Sequence, residues 1–264
     1  MIETAVKVLG QQQIAADCML LAVKAPEIVH RAAAGQFAQL KCGQTYDPLL
    51  RRPLSFHALE RDSGVLRFLY QLRGKGTKLL KELSADSSID ILGPLGKGFN
   101  QEITEGETAV LVGGGIGIAP LYQLAADLIK RDIKVITVFG AASKEQLYRT
   151  QVFRSLKLDL ILATEDGSLG HKGFVTEPLK EVLPEAGAVY ACGPKPMLKQ
   201  AALLASKFNI PCEVSIDTRM ACGTGACLGC VVKLKHEASE NGWRYGRVCH
   251  EGPVFNAEEV YWGE

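Results

Sequence analysis

The pattern of apolar and polar positions changes character twice along the chain. Over residues 3–100 apolar residues come in short alternating runs, such as Phe37-Ala38-Gln39-Leu40-Lys41-Cys42 and Val65-Leu66-Arg67-Phe68-Leu69-Tyr70. Turn-rich pieces such as Arg61-Asp62-Ser63-Gly64 part them. Short strands at near-regular spacing predict a small antiparallel β-barrel. Past Glu107 the runs become continuous. Thr108-Ala109-Val110-Leu111-Val112 reads as a strand buried on both faces, and Leu121, Leu124, Ala125, Leu128 and Ile129 follow at helical spacing, with Pro120 suited to a first turn. Further strands are expected over 134–139, 158–163, 188–192 and 212–217, with helices between them. Five strands alternating with helices predict a doubly wound parallel sheet. The second change is a cysteine- and glycine-rich loop followed by Val231-Val232-Lys233-Leu234-Lys235. The expected architecture is therefore multi-domain β plus α/β, divided as 1–102, 103–211 and 212–264.

Composition narrows the class without naming a function. The 264 residues are 47% apolar and 22% charged with a net charge of +1, which gives no bulk attraction to nucleic acid or an anionic membrane. No apolar run approaches the length of a membrane span, and Met1-Ile2-Glu3-Thr4 lacks a signal-like apolar core, so a cytoplasmic protein is expected.

Four of the eight cysteines, Cys222, Cys227, Cys230 and Cys249, stand at C-x4-C-x2-C-x18-C. Gly223, Gly225 and Gly229 free the loop to wrap a bound group, and the spacing is that of a plant-type [2Fe-2S] cluster. Zinc also accepts four cysteines, usually from two separated knuckles. Cys18, Cys42, Cys192 and Cys212 lie in apolar surroundings and read as small buried hydrophobes.

Two motifs in the first domain bear on a flavin dinucleotide. Arg51-Arg52-Pro53-Leu54-Ser55-Phe56 sets a guanidinium, an apolar side chain and a hydroxyl along one strand, with Arg52 and Leu54 on one face and Pro53 and Ser55 on the other. A flavin dinucleotide needs a cation for its pyrophosphate, an apolar surface beside the ring and a hydrogen bond near its N5 atom. A half-buried strand with two solvated arginines is the plainer reading. Then Leu69-Tyr70-Gln71 runs into Arg73-Gly74-Lys75-Gly76-Thr77, where N–H groups and the Thr77 hydroxyl can hold phosphate oxygens.

For a nicotinamide nucleotide the candidates are Gly113-Gly114-Gly115-Ile116-Gly117, between strand and helix, and Cys192-Gly193-Pro194 at a later strand end. Close packing of the helix on the sheet explains such glycines equally well. Glu165 and Asp166 can take ribose hydroxyls or simply be solvated.

Taken in order, Arg52-Pro53-Leu54-Ser55, Gly76-Thr77, Gly93-Pro94-Leu95-Gly96-Lys97-Gly98-Phe99, Gly113 to Pro120 and Cys192-Gly193-Pro194 resemble the ferredoxin-NADP reductase superfamily, which joins a FAD-binding β-barrel to a pyridine-nucleotide domain. With Ser215 to Gly223 and Cys249 to Phe255 added, the chain resembles the electron-transfer subunits of two-subunit, NAD-dependent dihydroorotate dehydrogenases. The resemblance implies FAD, a [2Fe-2S] cluster held by Cys222, Cys227, Cys230 and Cys249, and NAD as exchangeable substrate. It implies Arg52 on the flavin pyrophosphate, Ser55 near N5, and Leu69, Tyr70, Gln71, Gly76 and Thr77 as the second FAD segment. Leu54 stands where many relatives carry an aromatic residue. No catalytic acid or base is implied. The implied partner is an FMN-containing catalytic subunit, two of each forming a heterotetramer, with electrons passing from dihydroorotate to NAD+ in pyrimidine biosynthesis. Two alternatives stay open: a flavin and iron-sulfur subunit of a ferredoxin:NADP transhydrogenase or hydrogenase-type complex, and a zinc-stabilised nucleotide-binding module without redox activity.

Overall fold

In the computed structural model, which describes residues 1–43, 45–104 and 106–263, the alternating N-terminal runs become seven antiparallel strands. They are β1 (Ile2–Ala15), β2 (Cys18–Lys24), β3 (Phe37–Leu40), β4 (Arg52–Ser55), β5 (Ala58–Glu60), β6 (Val65–Gln71) and β7 (Ser88–Leu95), in the spatial order β4-β3-β7-β1-β2-β6-β5. The sheet ends in β4 and β5, so it rolls into a half-barrel instead of closing. Alternation fills its inside with Val8, Leu21, Val23, Leu40, Phe56, Phe68 and Ile91, all fully buried. Helices α1 (Pro26–Arg31) and α2 (Lys75–Lys81) add Ile28, Val29 and Leu80.

The continuous runs form the second layer. It comprises β8 (Thr108–Gly114), α3 (Ile118–Ile129), β9 (Lys134–Ala141), α4 (Thr150–Ser155), β10 (Asp159–Thr164), β11 (His171–Lys172), α5 (Thr176–Val182), β12 (Ala186–Cys192), α6 (Lys195–Lys207) and β13 (Cys212–Ser215). The five expected strands run parallel in the order β10-β9-β8-β12-β13. Ala109, Val110, Leu111 and Val112 are fully buried because helices cover both faces of β8. The C-terminal segment adds a hairpin, β14 (Val231–Lys235) with β15 (Trp243–Arg247), and a last strand, β16 (Val254–Asn256). β16 returns to pair antiparallel with β13, so the parallel sheet extends past residue 211 and takes its edge from the end of the chain. Among the described residues no helix is long and apolar enough to cross a membrane.

The layers share cores. Leu20 and Leu69, on the outer faces of β2 and β6, pack with Ile118, Leu121 and Phe139. Phe37 and Leu95 join a cluster that contains Cys230, Val248 and Cys249. His57 is fully buried, its Nδ1 lies 2.8 Å from the Ala119 carbonyl, and burial pushes its ring down to about 3, so it stays neutral. The Leu59 N–H donates to Gln123 Oε1 at 2.6 Å, a second tie between half-barrel and α3.

The connection between the layers yields a pH prediction. Glu213 accepts the Asn100 N–H at 2.8 Å, yet burial outweighs that bond and pushes its carboxyl up to about 7 from an ordinary 4.5. The folded chain therefore holds this proton more tightly than the unfolded chain, and stability falls as pH rises from about 4.5 to about 7. Glu213→Gln keeps the acceptor and removes the charge. It is expected to raise the melting midpoint at pH 8 and leave it little changed at pH 4; a midpoint unmoved at both would sink the assignment.

Candidate cofactor sites

The cysteine loop is shaped by left-handed turns. Gly223, Gly225 and Leu228 have φ of +73°, +88° and +57°, conformations in which glycine is unstrained and leucine is not. These turns aim N–H groups at sulfur. Thr224 and Cys227 donate to Cys222 Sγ at 3.4 Å each, Gly229 to Cys227 Sγ at 3.4 Å, Cys249 to Cys230 Sγ at 3.4 Å and Gly225 to Cys249 Sγ at 3.1 Å. Burial works against a Cys222 thiolate, but the N–H groups of Thr224 and Cys227 outweigh it and hold the thiol down at about 5. Cys230 and Cys249 are buried and Cys227 is exposed, so one side of the loop faces solvent and the other the protein.

These contacts join the Cys227 N–H to the Cys222 sulfur and the Cys249 N–H to the Cys230 sulfur, a grouping in twos that suits two irons. The donor set and the array of N–H groups fit an iron-sulfur cluster. By contrast, burial pushes the thiols of Cys18, Cys192 and Cys212 up to about 12 and raises that of Cys42, as expected of small core residues.

A brace that the sequence reading missed holds the loop. Arg247 donates to the Gly225 carbonyl at 3.0 Å, and Glu251 accepts from the Arg247 N–H at 3.0 Å, from Arg247 Nε at 3.2 Å and from Arg244 at 2.7 Å. Partial burial raises the Glu251 carboxyl, but the two arginines and the N–H outweigh it and hold it at about 2. The i, i+4 spacing of Arg247 and Glu251 around Cys249 is the one signal the sequence offered. The C-terminal tail is also tied down: Trp262 Nε1 donates to the Ala257 carbonyl at 3.0 Å, and Lys233 Nζ lies 5.8 Å from the Tyr261 ring centre.

In the half-barrel the structure sorts the two arginines. Arg51 binds Asp90 Oδ1 at 2.9 Å and Glu3 at 2.5 Å, so its charge is matched. Arg52 has no carboxylate partner among the described residues. It donates to the Leu50 carbonyl at 2.7 Å, and its guanidinium lies over Gly76, where a Cβ would come within 2.6 Å of Nε. Lys75, beside it, pairs with Asp47. The Thr77 hydroxyl serves the turn itself, accepting from the Arg73 N–H at 2.9 Å and donating to the Gly74 carbonyl at 3.1 Å. The first N–H groups of α2, which begins at Lys75, precede its first helical hydrogen bond, from the Lys78 N–H to the Gly74 carbonyl. An unmatched guanidinium against a glycine at a helix start suits a pyrophosphate.

Leu54 lies opposite Ala38 and packs on the half-barrel core, while Ser55 lies opposite Phe37 and Pro53 opposite Gln39 on the other face. β5 pairs only with residues 65–67, so Leu69, Tyr70 and Gln71 pair with β2 on one edge and, among the described residues, hydrogen-bond to no strand on the other. That free edge suits a flavin ring. The side chains of the last two are engaged elsewhere: the Tyr70 hydroxyl donates to Gln11 at 2.7 Å, and Gln71 Nε2 to Asp17 at 3.1 Å and Tyr148 at 2.9 Å. Gln39 is fully buried and, among the described residues, neither polar atom of its amide has a partner, a state that costs about 1–3 kcal/mol unless a bound group completes it.

The glycine-rich turn after β8 and the Cys192-Gly193-Pro194 turn after β12 lie side by side, with Gly113 opposite Cys192. Strand order reverses here, where open α/β sheets bind their ligands. A Cβ on Gly117 would stand 2.3 Å from the Cys192 carbonyl oxygen, and one on Gly114 2.6 Å from Met197 Sδ. Packing requires glycine at Gly117, which meets backbone, and crowds Gly114, which meets the Met197 and Pro194 side chains. Gly115, with φ +53° and open space around it, is available to a ligand. Asp166 accepts from the Ser168 hydroxyl at 2.6 Å and the Ser168 N–H at 2.9 Å, which hold its carboxyl below the ordinary range, while Glu165 is exposed.

Comparison with known proteins agrees with this geometry. Residues 217–261 match the family model for the iron-sulfur cluster binding domain of dihydroorotate dehydrogenase B, and residues 111–202 that for the oxidoreductase NAD-binding domain. The chain is 38% identical to the dihydroorotate dehydrogenase B (NAD(+)) electron transfer subunit of Desulforamulus reducens, over 97% of both chains. It is 40% identical to that of Listeria welshimeri, over 98% of this chain and 99% of the relative. Among solved structures, that of an NADH-dependent reduced ferredoxin-NADP oxidoreductase covers 97% of this chain and 90% of its own, with 31% identity and a TM-score of 0.83. A ferredoxin NADP+ reductase from Neisseria gonorrhoeae shares the fold at a TM-score of 0.65 and 20% identity, covering 78% of this chain and 91% of its own. A half-barrel, a parallel nucleotide sheet and a cysteine loop in one order, with relatives matched end to end, place the chain in the family of dihydroorotate dehydrogenase B (NAD(+)) electron transfer subunits.

Proposed function

We propose that this chain carries electrons between a dihydroorotate-oxidising catalytic subunit and NAD+, through an iron-sulfur cluster at Cys222, Cys227, Cys230 and Cys249 and FAD at the half-barrel. The carrying observation is one of placement: the cysteine loop packs against β3, whose neighbour β4 bears Arg52 and Ser55, so cluster and flavin sites share a wall. When bound, FAD exchanges a hydride with the nicotinamide and single electrons with the cluster. The chain's own residues position these groups. Arg52 and the first turn of α2 hold the pyrophosphate, Ser55 offers a hydroxyl near N5, and the free edge at Leu69, Tyr70 and Gln71 lies along the ring. Gly115, Gly193 and Pro194 line the crevice for NAD. Gly113, Gly114, Gly117 and Cys192 form its floor. The loop N–H groups hold the thiolates and tune the cluster.

The cluster is read as [2Fe-2S] from the cysteine spacing, the partner as FMN-containing, and the assembly as a heterotetramer of two of each. The exposed Cys227 side faces that partner. The buried free thiols accord with a reducing compartment, the cytoplasm. The units are read as 1–102 for FAD, 103–211 for NAD and 212–264 for the cluster, with β13 and β16 of the last segment completing the NAD sheet.

Anaerobically purified chain is expected to show flavin bands under an iron-sulfur envelope that bleach on adding NADH; a colourless protein with stoichiometric zinc would overturn this reading. The likeness to the ferredoxin-NADP oxidoreductase supports a second reading with the same chemistry and a different partner, which co-purification from the native host separates. Arg52→Ala is expected to weaken FAD binding about tenfold to hundredfold, the worth of a charged hydrogen bond, measured by fluorescence as the released flavin is titrated back. Retained affinity would remove Arg52 from the site.

A further inference from the structure

Among the described residues Gln39 is the one side chain that buries two polar atoms without a hydrogen-bond partner. It lies in the middle of β3, opposite Pro53 on the flavin strand β4. It shares a face with Phe37, whose ring packs in the core that holds Cys230, Val248 and Cys249. From the other side the cysteine loop closes on it: a Cβ at Gly223 would stand 2.7 Å from Gln39 Cγ and 2.8 Å from Nε2. Gly223 is the residue after Cys222, and its φ of +73° turns the loop onto the amide. A buried amide in such a place has no protein partner among the described residues, and the group expected beside it is the cluster. Hydrogen bonds to cluster sulfurs favour the reduced, more negative state and so raise the reduction potential.

We propose that Gln39 is a positioning residue of the electron path, whose side-chain N–H donates to a sulfur on the Cys222 side of the cluster, raising the cluster's potential and fixing the loop against the flavin strand. This rests on the functional reading above. It goes beyond it by assigning a half-barrel residue, distant in sequence from every cysteine ligand, to the cluster.

The test uses full-length chain purified anaerobically with both cofactors, titrated electrochemically while the reduced cluster is followed by electron paramagnetic resonance. Gln39→Met and Gln39→Leu remove the donor and keep most of the volume. Both are expected to lower the cluster midpoint potential, and to cut several-fold the fraction of cluster reduced at a fixed NADH to NAD+ ratio. Iron and FAD content should stay at wild-type levels, since a packing role alone leaves the potential in place. Unchanged midpoints in variants with full cofactor content would overturn the proposal. Isotope-labelled glutamine in the wild-type chain gives a readout that no folding defect can mask. Magnetic coupling between the reduced cluster and a side-chain amide nitrogen is expected, and its absence would overturn the assignment. A wild-type chain that shows no cluster signal at all would instead bring down the functional reading beneath it.

Discussion

Cys227→Ser is expected to remove the cluster while FAD stays bound, so that NADH still bleaches the flavin but no electron reaches an iron-sulfur acceptor. The argument is local. Cys227 sits on the exposed side of the loop, and among the described residues its Sγ accepts only the Gly229 N–H at 3.4 Å. Its loss therefore opens no core cavity, and the fold should survive. Serine supplies a harder oxygen donor of much higher pKa, which a cluster held by four thiolates tolerates poorly. Cys227 belongs to none of the cores to which the half-barrel proposed to hold FAD contributes, so flavin content should stay at wild-type levels. Iron analysis and the visible spectrum read the two cofactors separately. A variant with wild-type iron content and spectrum would show that Cys227 is not a ligand. Loss of FAD together with iron would show that the two sites fold as one unit.

Gly117→Ala is expected to be among the most destabilising single-methyl additions in the chain. Its φ of −60° is one that alanine adopts freely, so backbone strain is absent and the effect is steric. The added carbon would stand 2.3 Å from the Cys192 carbonyl oxygen, 2.6 Å from its carbon and 2.7 Å from the Gly193 nitrogen. All three are backbone atoms at the end of β12, which is paired to β8 in the middle of the sheet and cannot swing aside as a side chain could. Overpacking of this kind costs up to about 3 kcal/mol, a fall in melting midpoint on the order of 10 °C for a chain of this size. The two turns that must part are those proposed to hold NAD, so the Kd for NADH should rise as well. Gly115→Ala is the comparison: it meets nothing within 4 Å but holds a left-handed φ of +53°, which costs a β-carbon about 1–2 kcal/mol. Equal stability of the two variants would refute the steric account.

Both predictions show how differently the two glycine-rich loops could be read in advance. The cysteine spacing was legible because the proposed ligands are themselves the signal, and the glycines between them suit N–H groups that reach sulfur. In the β8 turn the sequence left packing and nucleotide binding equally open. The structure divides the glycines between the two. Gly114 and Gly117 are occupied by Met197 and Cys192, which lie about eighty residues further along the chain, and Gly115 is free. No local pattern encodes such an approach.

By itself the sequence determined the order of modules, the switch from alternating to continuous apolar runs, the five parallel strands and the four cysteine ligands proposed. Each depends on short-range periodicity or on residue chemistry that stands in the chain itself. Tertiary structure decided what depends on residues far apart meeting. It separated Arg51, neutralised by Glu3 and Asp90, from Arg52, left free over Gly76. It gave the Thr77 hydroxyl to its own turn and the Tyr70 hydroxyl to Gln11. It carried the chain's last strand back to the edge of the nucleotide sheet. It set Gln39, unremarkable in a strand near the start of the chain, against a loop nearly two hundred residues later. Periodicity reports which face a side chain takes, but only the fold decides what that face meets, because partners across an interface are chosen by packing and charge compensation.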